Sequence, residues 1–193
     1  MAEINMTNIK DIILSTGNYN NVKCGNTVSI TGDGGNAWEY YGPAYKKLAP
    51  RLKTYLNYAN KYQELLKIKD KNEYKRFRKE IEDEYIKNYF ETRLKELDAD
   101  ELLDTLYNRF GSNIILLCHE DITEFCHRRL VADYIELKTG IYIPEVSIEG
   151  SKVKKIQPIR YKNRLKEVGG ECEILSWWPI INCKRKLGWF NVW

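Results

Sequence analysis

The sequence predicts an α/β fold, a small sheet packed between helices and carrying a helical insertion. Three observations lead there. "IILLC" (Ile114–Cys118) is a continuous apolar run, as a central parallel strand covered on both faces shows. A helical pattern that stops at Gly140 follows it, then the strand-like "IYIPEV", so strand, loop, helix and strand fit the ~30 residues of a βαβ unit. Ahead of that unit lies a long stretch of helical periodicity, and ahead of that two short β-branched runs. The sandwich is expected over residues 8 to 146.

The elements follow in order. "DIILST" (Asp11–Thr16) reads as a buried strand running into a loop at Gly17. "TVSI" (Thr27–Ile30) is a second strand, bounded by "GN" and by "TGDGG", a turn or flexible loop. Pro43 and Pro50 can each open a helix at its first position. After Pro50, Leu52, Tyr55, Leu56, Ala59, Tyr62, Leu65 and Leu66 recur at helical spacing. Residues 72 to 97 are charged with one apolar stripe (Tyr74, Phe77, Ile81, Tyr85, Tyr89), an amphipathic helix or two whose stripe meets the core. Asp98 with Glu101 three residues on resembles a capping box and starts a helix carrying Leu102, Leu103, Leu106 and Phe110, which "FGSN" ends. The helix after "IILLC" is expected from about Glu124 to Lys138, with Val131, Tyr134, Ile135 and the Lys138 stem inward. Gly140 stops it.

Residues 1–150 form one domain in this reading, and residues 151–193 a basic, Trp-rich C-terminal extension. "CEILSWWPIINCKRKLGWFNVW" predicts a small β appendage of two or three strands. Its Trp177, Trp178, Trp189 and Trp193 can pack onto the domain, offer stacking surfaces, or make a homodimer contact; packing is the favoured reading.

Composition narrows the function classes. The net charge is +4, but residues 152 to 186 hold ten Lys/Arg against three Asp/Glu, a local +7 that leaves −3 for the rest. Such a segment is either a solvated face or a seat for nucleic acid or an anionic ligand. No run approaches the ~20 apolar residues of a membrane span, so no membrane partner is expected. The N-terminus "MAEINMTNIKD" lacks an apolar signal core, which predicts a cytoplasmic location. Five scattered cysteines (Cys24, Cys118, Cys126, Cys172, Cys183) do not read as a disulfide framework. Walker, GxGxxG and HExxH patterns are missing, and no cofactor is expected.

The chemistry concentrates in "NIILLCHEDITEFCHRRLVADYIELKTG", residues 113 to 140. Ligands of open α/β sheets bind beyond the carboxyl ends of the strands. Cys118, His119 and Glu120 lie at one such end, and Ser15, Thr16 and Asn18 at another. Cys126, His127, Arg128 and Arg129 fall in the first turn of the next helix, where orphan N–H groups carry partial positive charge. Two arginines there add like charge, an arrangement that a bound phosphate or carboxylate would relieve. The competing structural account pairs Arg128 or Arg129 with Glu120, Asp121 or Glu124. A metal would use Cys118, His119, Cys126 and His127, but their spacing fits no compact zinc motif, and no metal is expected. A thiol nucleophile would be Cys126 or Cys118, whose thiolate the helix terminus and neighbouring Arg and His favour. Against it stands the possibility of a small buried residue that packs helix onto sheet.

The stretch "LLCHEDITEFCHRRLVADYI" resembles the signature of the DUF488 family, in which a strand ends in Cys-x-Glu and a Cys-His-Arg triplet opens the next helix. "YYGPAYKKLAP" is similar to that family's Tyr…Leu-Ala-Pro segment, and "ILSTGNYNN" sits where the family has its first strand and a Ser/Asn loop. His119, between Cys118 and Glu120, departs from the family pattern. The resemblance covers residues 8 to 146. It implies a Rossmann-like fold with a polar pocket lined by Cys118, Glu120, Cys126, His127 and Arg128. Its proposed settings are nucleotides, nucleic acids and phage conflict.

The expected function is therefore binding of a nucleotide-like anionic small molecule, with or without processing of it. The chain would act as a sponge or sensor for a nucleotide signal, or as a nucleotide-modifying enzyme. Arg128, Arg129 and the helix terminus would hold phosphate, while Glu120 and Asn18 would bond a ribose or base. Cys126, His127 and Glu120 are the catalytic candidates. The alternative is a nucleic-acid module built on the basic Trp-rich tail. A third reading, an interaction protein with an idle pocket, predicts partner capture that does not need Cys126, His127 or Arg128.

Overall fold

The computed structural model describes residues 14–36, 39–149 and 152–169. Five strands form one mixed sheet: β1 (Leu14–Asn18), β2 (Asn26–Ser29), β3 (Ile114–Cys118), β4 (Glu145–Glu149) and β5 (Lys152–Ile156). Their order is β2-β3-β1-β4-β5, with the first four parallel and β5 antiparallel to β4. The apolar run Ile114–Cys118 is an inner strand, buried at every residue, as its composition predicts. The expected β3–helix–β4 crossover is present, and β1 lies between its two strands. Gly17 permits close packing in β1: a Cβ there would lie 2.7 Å from Val22 Cγ2 and 3.1 Å from the Val146 carbonyl.

Among the described residues five α-helices flank the sheet: α1 (Leu52–Leu65), α2 (Lys71–Tyr89), α3 (Ala99–Phe110), α4 (His127–Thr139) and α5 (Lys162–Gly169). Their ends follow short-range chemistry. Asp98 caps α3 by accepting from Glu101 N, and Asp70 caps α2 by accepting from Asn72 N and Glu73 N. Gly140 closes α4 at φ 76°, a left-handed turn that glycine adopts without strain. Several boundaries differ from expectation: β1 runs on through Gly17 to Asn18, and β4 begins at Glu145 rather than Ile141. Helix α4 begins at His127 rather than Glu124, because Cys126 is extended (φ −150°, ψ 140°) and its sulfur accepts from Arg128 N. Pro43 opens no helix. The chain runs beside β2 there, through Ser29 N to Pro43 O (2.9 Å) and Tyr45 N to Ser29 O (2.7 Å), before a 3-10 turn at Lys46–Leu48. Pro50 stands just before the extended cap Arg51.

The sheet has two unlike faces. On one, Leu14, Val28, Ile114 and Leu116 pack with Ile86, Tyr89, Leu102, Leu106, Leu130, Val131 and Ile135 from the helices. On the other, Ile115, Leu117 and Val146 pack under Tyr19 and Val22 of the β1–β2 loop, and no helix residue joins that cluster among the described residues. The predicted stripe of α2 meets the core at Ile81, Tyr85 and Tyr89. That of α1 does not: Leu52, Tyr55, Leu56 and Leu66 are exposed among the described residues, and Leu65 is the apolar position it buries.

The boundary expected at residue 150 falls inside the β4–β5 hairpin. Residues 152–169 complete the sheet edge and place Tyr161 and Leu165 in the main core. Asp11–Ile13 and the segment from residue 170 on, with the predicted β appendage and Trp177, Trp178, Trp189 and Trp193, lie outside the described residues.

Candidate functional site

Strand alternation and register place the groups of the site. Residues i and i+2 share a face, so Thr16 and Asn18 of β1 point with Leu14 to the helical side, and Cys118 of β3 points with Ile114 and Leu116. Asn18 is in register with Cys118, and Thr16 with Glu145. Above them the loop after β3 leads into α4. Phe125 anchors that loop among Tyr58, Tyr85 and Tyr161, with ring centroids 5.2–5.4 Å apart. This fixes Cys126 at the cap and His127 at the first helical position.

The result is a cluster in which one donor atom each of Cys118, Glu120, Cys126 and His127 lies within 4.8 Å of the others. Glu120 Oε2 is 2.7 Å from Cys118 Sγ and 2.9 Å from Cys126 Sγ. His127 Nε2 lies 3.0 Å from the Ile30 carbonyl, which can only accept, so Nε2 carries a proton. Nδ1 therefore faces the sulfurs, 3.5 Å from Cys118 and 4.0 Å from Cys126. Both cysteines and His127 are buried; Glu120 is half-buried and forms the solvent side.

Burial and mutual contact divide the protons unequally. Burial pushes the Glu120 carboxyl up to about 7, and the neighbouring Cys126 charge adds to this. Burial likewise raises the Cys118 thiol, reinforced by its hydrogen bond with Cys126. Burial alone would raise Cys126 too, but the Cys118 hydrogen bond, the Arg128 guanidinium and His127 together hold it well below the ordinary thiol range. Burial would lower His127, yet the Cys126 and Glu120 charges outweigh that and raise it. The arrangement can hold a thiolate against an imidazolium with a carboxyl group that titrates near neutrality.

The guanidinium groups of Arg128 and Arg129 do not turn outward. Arg128 bonds Glu145 (3.0 Å) and the carbonyls of Glu120 (2.8 Å) and Asp121 (3.1 Å). Arg129 bonds Thr16 Oγ1 (2.5 Å) and the Ile143 carbonyl, with Asp133 at 3.8 Å and Glu145 at 3.6 Å. Thr16 in turn donates to Glu145 at 2.5 Å. The anion that relieves the two arginines is thus internal. It is Glu145 with Asp133, and not Glu120, Asp121 or Glu124 through their side chains.

Of the sequence-selected residues, Thr16, Cys118, Glu120, Cys126, His127, Arg128 and Arg129 converge, and Asn18 stands in register beside Cys118 with its buried Nδ2 unpartnered. Ser15 and His119 do not join them. Ser15 shares the opposite face with its register partner Ile115 and bonds the Ile114 carbonyl. His119 lies against Tyr19, the rings tilted by 58° with centroids 5.0 Å apart, and pairs with Asp33 at 3.0 Å. Sequence reasoning missed Glu145, which sat unremarked inside the strand "IYIPEV". It also missed Asp33, which orders the glycine loop after β2 by accepting from Thr31 Oγ1 and Gly35 N. A carboxylate inside an otherwise buried strand is the signal that could have found Glu145.

Comparison with known proteins adds a family. No curated protein and no solved structure gives a significant match to the chain. A family model of DUF488, a domain of unknown function, matches residues 46–135, from the 3-10 turn into α4, in keeping with the resemblance read from the sequence.

Proposed function

We propose that the chain binds and processes a small nucleotide-like anion at the carboxyl ends of β1, β2 and β3. The observation that carries this is the convergence of two thiols, a carboxyl and an imidazole within 4.8 Å, at the end of an inner parallel strand. Structural packing alone gives no reason to bury titratable groups in contact with one another. Arg128 and Arg129 serve here as positioning residues, since the guanidinium donors of Arg128 and the terminal nitrogens of Arg129 are already engaged within the fold. The ligand's charge is met instead at the rim. There Lys46 brings its ammonium to 3.8 Å from where a side chain on Gly34 would begin, next to the Asp33–His119 pair. Titration calorimetry with a panel of mono-, di- and cyclic nucleotides and ADP-ribose-type compounds, with product analysis by mass spectrometry, tests the reading. Binding at submillimolar affinity is expected, with Lys46→Ala weakening it and Cys126→Ser abolishing any conversion. A full panel without binding above millimolar would remove the proposal.

A second reading, nucleic-acid binding, is favoured by one feature. Strand β5 exposes Lys152, Lys154 and Lys155, and a groove of about 420 Å³ beside it is lined by Lys155, Arg160 and Tyr142. Arg160, Lys162 and Arg164 are paired with carboxylates, so the lysines carry this reading. Binding to single-stranded oligonucleotides should then weaken steeply with salt, and replacing the three lysines by glutamine should flatten that dependence.

A further inference from the structure

We infer that Cys118, Cys126, His127 and Glu120 form a site for one thiophilic divalent cation of the zinc class. The inference deepens the proposed function and rests on it for the use to which the cation is put. The donor set is two sulfurs, one imidazole nitrogen and one carboxylate oxygen, the ligand types zinc takes. A tetrahedral site with Zn–S of about 2.3 Å and Zn–N or Zn–O of about 2.0–2.2 Å has edges of roughly 3.5 Å. The Cys118–His127 and Cys126–His127 edges, 3.5 and 4.0 Å, are already of that size. The two edges to Glu120, 2.7 and 2.9 Å, are shorter. Moving this one carboxylate outward by under ~1 Å makes room, and Glu120 is the member on the solvent side.

A second observation is independent of the spacing. A metal-bound histidine donates its other ring N–H to a carbonyl or carboxylate, which fixes the ring and aims the remaining lone pair. His127 does this: Nε2–H is held by the Ile30 carbonyl and Nδ1 faces both sulfurs. The frame is rigid as well. Cys118 ends an inner strand, Cys126 caps a helix, and Arg128 ties the carbonyls of Glu120 and Asp121 to Glu145. Two thiolates, a carboxylate and a divalent cation sum to a single negative charge, and the Arg128 guanidinium beside the site offsets it. Cys118, Cys126 and His127 hold the cation. Glu120 is the exchangeable fourth ligand, and its displacement opens one position to water or to a ligand oxygen. The cysteines stand eight residues apart in sequence, so the fold and not a short motif brings them together.

The test uses the full reduced chain, stripped with chelator and titrated with Co²⁺, then with Zn²⁺ in competition. The expected result is one equivalent of Co²⁺, an intense sulfur-to-cobalt absorption band and a tetrahedral visible spectrum, all displaced by Zn²⁺. The band should be lost in Cys118→Ser with Cys126→Ser and kept in Cys24→Ser. Glu120→Gln should keep the band but change the visible envelope. Absence of the band in the folded, reduced wild-type chain overturns the inference, and so does its persistence in the double serine variant. Neither measurement needs a nucleotide. Cobalt binding without nucleotide binding therefore removes the proposed function alone, and nucleotide binding without cobalt removes the metal alone.

Discussion

Arg128 is the largest side chain that the described fold buries completely, and it remains charged. Its guanidinium satisfies three partners at once, two carbonyls of the loop after β3 and the Glu145 carboxylate. A planar fork does this and an ammonium does not. Replacing Arg128 by alanine leaves Glu145, itself 1% exposed, as a buried charge offset only by the Thr16 hydroxyl and by Arg129 at 3.6 Å. The expected loss is about 3–5 kcal/mol in urea unfolding. Arg128→Lys should be destabilised as well, and Arg128→Met combined with Glu145→Leu should lose less than the two single changes added together. Unfolding midpoints for the four proteins decide it; a near-neutral Arg128→Ala would mean that water reaches Glu145. The same residue bears on chemistry, because its charge contributes to holding Cys126 below the ordinary thiol range.

Helix α5 is attached to the body through ion pairs as well as through Leu165 in the main core and Val168 packed against it. Arg164 reaches Glu82 and Asp83, both at 2.7 Å, while Lys162 and Arg160, the latter just ahead of the helix, pair with Glu136. Burial works against the charged form of Asp83 and Glu136, but Lys79 with Arg164 at Asp83, and Lys162 with Arg160 at Glu136, outweigh it and hold both carboxyls below their ordinary values. A depressed carboxyl stabilises the fold above its unfolded value and ceases to do so as the pH falls through its folded value. The attachment of α5 should therefore weaken below about pH 4. Arg164→Met should cost about 1 kcal/mol at pH 7, a modest figure because the pairs are partly exposed, and the gap to wild type should be narrower at pH 3. Thermal melts at both pH values read this directly. At α3, Asp98→Ala removes the acceptor of Glu101 N and should cost about 1 kcal/mol, with Asp98→Asn costing less.

At the scale of the whole molecule, the sheet needs its last described strand and helix. Strand β5 pairs with β4 along five residues, and Tyr161 and Leu165 fill the main core. A chain ended at residue 150 should unfold without a cooperative transition by circular dichroism, in contrast to the full chain; a sharp melt from the truncated chain would show that residues 152–169 are dispensable. Much of this architecture is legible in the sequence. The inner strand, the caps at Asp98 and Gly140 and the stripe of α2 rest on apolar runs and on residues within four positions of one another. The reactive stretch is legible for the same reason, since Cys118, Glu120, Cys126 and His127 fall within ten consecutive positions. Which charges pair is not legible. Arg129 meets Thr16 across 113 residues, and His127 meets the Ile30 carbonyl across 97. Nor is the face that Ser15 or His119 takes, because a one-residue change of register reverses it. Short-range periodicity and residue type are enough to specify most of the elements and the chemical inventory. Tertiary structure alone decided that the two arginines are neutralised from within and that the thiols, carboxyl and imidazole meet, because contacts between distant segments depend on the register and packing of the entire sheet.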